Sequence, residues 1–226
     1  MTRFAVLATL VLVAAVMCGV APAGAQKTVD RVSGQERNDA LKALDDTTNA
    51  VGRMGALRTL ATEGTMADLP RIAQALRDPA PGVRVMADGT MWAVWSRSGD
   101  PAIDALFANG VEALQEGRWP DAVRTFSAII AKKPEFAEGW NKRATAYYLM
   151  GEYQKSLADC DEVVKRNPLH YGALSGYGMI YIQLDQPARA LEYYERALDV
   201  NPNLDGVRNA IENIRDFLIR KRRESI

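Results

Sequence analysis

The side chains that invite chemistry are few. The chain holds one histidine, His170, two cysteines, Cys18 and Cys160, and an acidic run of Asp159, Asp161 and Glu162. A metal centre needs several converging ligands, and a nucleophilic site needs a serine or cysteine beside a base. Neither pattern is present: there is no H-x-x-x-H, C-x-x-C or G-x-S-x-G, and no phosphate-binding glycine loop. Neighbouring carboxylates on a helix point in different directions, so 159–162 reads as a solvated face. These residues predict no enzyme, no metal and no cofactor. The unusual feature is the stretch NPLHYGALSGYGMIY at 167–181, which puts Gly172, Gly176 and Gly178 in a helical pattern. Each costs about 1 kcal/mol against alanine in a helix interior. Tight packing, or backbone left bare for a ligand, would justify them.

The elements that must position these residues begin after a leader. Residues 1–25 run from a basic start through the apolar FAVLATLVLVAAVMCGV to an Ala23-x-Ala25 finish, the pattern of a signal peptide cleaved after Ala25. The rival reading is an uncleaved anchor, although the apolar run Phe4 to Val20 is at the lower limit for a membrane span. Cleavage predicts a periplasmic or secreted chain with no membrane span. The full chain has 28 basic and 28 acidic residues, and removing the leader with its single charge, Arg3, leaves one excess negative charge. Without a basic excess, nucleic acid is a poor partner. Cleavage also removes Cys18, so Cys160 has no internal disulfide partner and reads as a small buried hydrophobe.

A period organises the second half. Prolines stand at 134, 168 and 202. At matching distances before them come the small residues Gly110, Ala144 and Gly178, the turn residues Gly117, Gly151 and Asp185, and the apolar Phe126, Cys160 and Tyr194. Columns at a fixed period of this length mark stacked helical hairpins.

These columns resemble the tetratricopeptide repeat, with copies at 103–136, 137–170 and 171–204 inside an array of 101–204. The resemblance implies an all-α, right-handed superhelical α–α solenoid whose first helices line a concave groove for a protein or peptide. Carried over by position, the groove contacts are Asn141, Lys142, Thr145, Tyr148, Ser175, Gly176, Met179 and Gln183. Gly172 and Gly176 would leave bare backbone on the groove floor, and His170 would stand at its edge, as a contact or as an exposed loop residue. Members that clamp a C-terminal carboxylate do so with lysines and asparagines. Here the matching places hold Phe107, Val111, Gly172 and Gly176, with only Asn141 and Lys142 similar. The clamp is absent, which argues against a chaperone-tail adaptor. Arg143 and Asp159 match an ion pair common within one repeat, and Trp140 matches a core aromatic.

Upstream, residues 38–100 resemble HEAT-type helical hairpins, with Pro70, Asp78 and Val83-Arg84 at telling places and a weaker copy at 44–64. Residues 26–37 read as a flexible lead, and 205–226 as an amphipathic capping helix through Val207, Ile211, Ile214 and Leu218. Trp92 and Trp95 are expected to join the HEAT-like part to the array. The chain also resembles exported bacterial repeat proteins of unassigned activity. The expectation is a periplasmic scaffold for a protein or peptide partner. Its alternatives are a carrier of a small hydrophobic ligand in the same groove, and a membrane-tethered assembly factor if the leader is kept.

Overall fold

Helix follows helix at intervals set by turn residues that only certain conformations allow. The computed structural model describes residues 34–224, and all regular structure among them is helical. The expected leader and residues 26–33 lie outside the described residues. Helical residues 34–43 (α1) precede α2 (Ala50–Glu63), the short α3 (Leu69–Gln74) and α4 (Pro81–Trp95). The array follows as α5 (Pro101–Gln115), α6 (Trp119–Lys132), α7 (Ala137–Leu149), α8 (Tyr153–Arg166), α9 (Tyr171–Gln183) and α10 (Pro187–Val200), with α11 (Asp205–Glu224) last.

Each array hairpin closes through a left-handed residue: Gly117 at φ 75°, Gly151 at φ 76° and Asp185 at φ 53°. Glycine takes this conformation freely, whereas a Cβ there is strained. The small-residue column is explained by packing. A Cβ on Gly110 would lie 2.6 Å from the Phe126 ring, and one on Gly178 would lie 2.4 Å from Tyr194. At the equivalent Ala144 the carbonyl accepts from the buried Ser156 hydroxyl at 2.8 Å. The aromatic ring of the second helix therefore sits directly on the first helix of its own repeat. Pro187 at the start of α10 removes only an N–H that would have no intrahelical partner. α11 covers the end of the array with Ile211 and Ile214, both buried against the cluster of Tyr177, Tyr181 and Tyr194.

The N-terminal unit is held by paired charges. Arg53 donates two hydrogen bonds to Asp78, at 2.7 and 2.9 Å, both side chains being buried. Arg37 donates to both oxygens of buried Asp68 at 2.7 Å. Of the expected lead at 26–37, residues 34–37 belong to helix α1. A bidentate guanidinium on a carboxylate that also accepts from the Thr65 backbone N–H orders the segment.

This unit does not simply extend the array. It lies along the row of inter-repeat turns. Asp88 of α4 accepts from the Tyr171 hydroxyl at 2.6 Å and from the Asn201 amide at 2.8 Å. The Asn203 amide donates to the Leu76 carbonyl at 2.7 Å. Leu57, Leu60, Met91 and Trp95 share one buried cluster with Tyr171, Leu174 and Ala197. The two parts therefore share one core. No helix among the described residues is long and apolar enough to cross a membrane.

Asp185 is the one described non-glycine residue at positive φ. Asp185→Gly should raise stability by about 1 kcal/mol and Asp185→Val should lower it, as read by urea unfolding.

Candidate functional site

Between α7 and α9 a cavity of about 130 Å³ opens. Asn141, Thr145 and Tyr148 face it from α7, Gly172, Gly176 and Met179 from α9, with Cys160 behind them on α8. Thr145 is exposed, and Leu149 and Ile182 stand 42% and 40% exposed on the same two helices. A Cβ at Gly176 would meet only Cys160 Sγ, at 3.8 Å, so the backbone there lies open.

The sequence-derived contacts divide. Asn141, Thr145, Tyr148, Gly176 and Met179 come together around the cavity, whereas Lys142, Ser175 and Gln183 do not line it. The Lys142 ammonium sits 3.0 Å from Glu138 and 5.5 Å from the Trp92 ring centre. The Ser175 hydroxyl donates to the Tyr171 carbonyl at 2.8 Å, a bond within its own helix. Gln183 is exposed and accepts from the Tyr153 hydroxyl at 3.4 Å. Gly172 touches the cavity, but its missing Cβ has a packing reason. That atom would lie 2.7 Å from the Trp92 ring and 3.1 Å from His170.

His170 is the main correction. It is wholly buried, neither a groove edge nor an exposed loop residue. Its Nδ1 accepts from the Ala173 backbone N–H at 3.0 Å and so caps α9. The ring proton is thereby assigned to Nε2, which donates to Glu138 at 2.8 Å. The imidazole also stacks on Trp95, with ring centres 4.3 Å apart. Glu138, equally buried, receives the Asn141 amide at 3.0 Å as well. Burial pushes this carboxyl up, but the Lys142 charge and the His170 bond outweigh it and hold it at about 2. Sequence reasoning missed Glu138, because an acid in the first turn of a helix ordinarily faces water. One signal was available: Glu138, Asn141 and Lys142 share a helix face at i, i+3 and i+4.

Trp140 packs against the core at Ala137, Val163 and Ala173, as expected, but is not enclosed by it. It is half-buried, its indole donates to the Pro134 carbonyl at 2.9 Å, and the Arg143 and Arg166 guanidinium groups lie over its ring at 5.1 and 4.7 Å. Arg143 meanwhile pairs with Asp159 at 2.7 Å within one repeat. Cys160 is buried, and burial together with the Asp159 and Asp161 charges pushes its thiol up to about 12. It is an inert thiol. No group of three metal-ligating side chains occurs among the described residues.

Comparison with known proteins bears on the fold of the array. The tetratricopeptide repeat family profile matches residues 107–168 and 142–205. A TPR repeat-containing protein of Rhizobium etli is 39% identical over 108 residues, covering 48% of this chain and 53% of the relative. Hsp70-Hsp90 organizing protein 2 of Arabidopsis thaliana is 28% identical over 120 residues, covering 51% of this chain and 21% of the relative. The chain thus spans about half the length of the first relative and about a fifth of the second. The Sgt2 TPR domain of Aspergillus fumigatus superposes with TM-score 0.52 at 21% identity, covering 55% of this chain and 83% of that one. The first TPR domain of human RPAP3 superposes with TM-score 0.51 at 23% identity, covering 54% and 95%. These likenesses establish the fold. Residues 107–205 are tetratricopeptide repeats.

Two expected outcomes follow from the buried groups. The stabilisation from the Glu138 carboxylate is present above its unfolded pKa and is lost as pH falls towards about 2. It amounts to roughly 3 kcal/mol at neutral pH. Glu138→Gln should therefore flatten the acid limb, losing about 2 kcal/mol less than wild type between about pH 6 and about pH 3 in urea titrations. Cys160 should resist thiol reagents in the folded chain and react at once in denaturant.

Proposed function

We propose that this chain is an exported helical-repeat scaffold that holds a segment of a protein partner in the groove between α7 and α9. The observation that carries the reading is the open backbone at Gly176 on a cavity shared with Thr145, Tyr148 and Met179. An apolar strip with a few polar groups suits an extended peptide or one face of a helix. Export rests on the signal-peptide pattern of residues 1–25.

Volume favours a protein segment over a small-ligand carrier. Ligand pockets run to about 300–1,000 Å³ and enclose most of their ligand, whereas this cavity has about 130 Å³ and is open. That space admits one or two side chains of a longer partner. The relative named as an Hsp70-Hsp90 organizing protein handles proteins, by its name, which favours the same class of cargo here. A C-terminal carboxylate in this groove is disfavoured, because Asn141 and Lys142 both serve the internal Glu138.

Gly176→Gln projects a long side chain into the groove while its Cβ meets only an ordinary contact. Partner capture from the native host should fall at least about tenfold, with helicity and melting close to wild type. Unchanged capture would remove the groove assignment. A discrete small nonprotein mass bound to the native chain would favour the carrier instead, and an uncleaved N-terminus would favour the tethered factor.

A further inference from the structure

A second cavity, of about 120 Å³, lies where the N-terminal unit meets the turn between the first two repeats. Its volume is well above the ~15 Å³ that one water requires. Two of its lining residues carry buried donors with no acceptor among the described residues: the Trp95 indole N–H and the Asn167 side-chain amide. Both residues are only 2% exposed. A buried donor left unsatisfied costs about 1–3 kcal/mol, so two at one cavity require an explanation.

The orientation of the Asn167 amide is set by its neighbour. Its Oδ1 accepts from the Leu169 backbone N–H at 3.2 Å, which leaves Nδ2 as the unpartnered end. The repeat itself shows what that end seeks. One repeat later stands Asn201, whose Oδ1 accepts from the Asn203 backbone N–H at 3.0 Å in the same way. Its Nδ2 donates to the Asp88 carboxylate at 2.8 Å, beside the Tyr171 hydroxyl on the same oxygen at 2.6 Å. At the Asn201 turn the fold supplies a carboxylate, and at the Asn167 turn it supplies a cavity.

The surroundings suit an anion. Lys133 and Arg97 line the cavity; the Arg97 guanidinium is held by the Ala61 and Gly64 carbonyls, with the Glu63 and Asp104 charges also acting on it. The start of α7, which has no side-chain cap, also borders it through Phe136 and Ala137. The one acid on the lining, Glu135, is 70% exposed and lies 3.8 Å from Lys133.

We propose that this cavity binds the carboxylate of a small organic acid, its oxygens accepting from the Trp95 indole and the Asn167 amide, with Lys133 and Arg97 balancing the charge. The site is separate from the α7–α9 groove and does not depend on its reading.

The test is a titration of the full chain with acetate and then succinate, against sodium chloride at matched ionic strength, following the tryptophan indole N–H resonances. Trp95→Phe assigns the Trp95 signal. Saturable downfield movement of that signal is expected with carboxylate and not with chloride. The Trp140 indole, already bonded to Pro134, should stay still. Asn167→Asp keeps the acceptor for Leu169 but replaces the donor with a repelling charge, and should weaken binding at least about tenfold. Should that variant fail to fold, Lys133→Met, at a partly exposed position, should weaken binding several-fold. No carboxylate-specific movement of the Trp95 signal overturns the proposal. Movement seen only in Glu135→Gln also overturns it, since Glu135 would then be the cavity's own acceptor.

Discussion

A carboxylate shut away from water persists only where donors and cations are brought to it, and Glu138 gathers several. His170, Asn141 and Lys142 all reach it: Asn141 and Lys142 from α7 itself, and His170 from the turn that opens α9. His170 carries the connection furthest. Its Nδ1 caps α9, its Nε2 holds α7 and its face carries Trp95 of α4. Two repeats and the N-terminal unit therefore meet at one imidazole with one defined tautomer. Removing either partner would strand a buried polar group, which costs far more than a solvated pair contributes.

The character of the groove follows from that arrangement. Glu138 takes up the amide of Asn141 and the ammonium of Lys142, the two polar side chains of α7 that resemble a carboxylate clamp. What remains open between α7 and α9 is mainly apolar, with Thr145 and the Tyr148 ring as its polar elements. Gly176 keeps the α9 side of that space free of side chain. The same glycine-rich helix serves a second purpose, since Gly172 admits the edge of Trp92 and so lets α4 lie close. Each of the three glycines that are costly to helix propensity thus has its own reason: Gly172 for docking, Gly176 for the groove and Gly178 for the Tyr194 ring.

The repeat also shows how one turn position is used in different ways. Residues 133, 167 and 201 are equivalent, and they are Lys, Asn and Asn. Both asparagines close the turn by accepting from the backbone N–H two residues on, which leaves their amides free for other partners. One finds Asp88 and the other finds a cavity beside Trp95. A solenoid presents such equivalent positions in a row, so a unit lying along its edge meets them in succession.

Much of the architecture was legible in the residues alone, because helical hairpins are local objects. The 34-residue spacing of Pro134, Pro168 and Pro202, the glycines at positive φ and the small residues facing Phe126 and Tyr194 act within about thirty residues of one another. Steric rules written into a single repeat therefore determine its fold. The Arg143–Asp159 pair was legible for the same reason, being internal to one repeat. What tertiary structure decided was long-range. Asp88 meets Tyr171 and Asn201 across 83 and 113 residues, and Glu138 meets His170 across 32, from one end of its repeat to the other. No periodicity within a helix encodes which distant turn will cover it. Burial of Glu138 and His170, and with it the loss of Lys142 to the groove, depended on where α4 came to rest. That placement arises from the summed burial of Trp95, Met91, Tyr171 and Leu174 in one core, a property of the assembled surfaces and of no single segment.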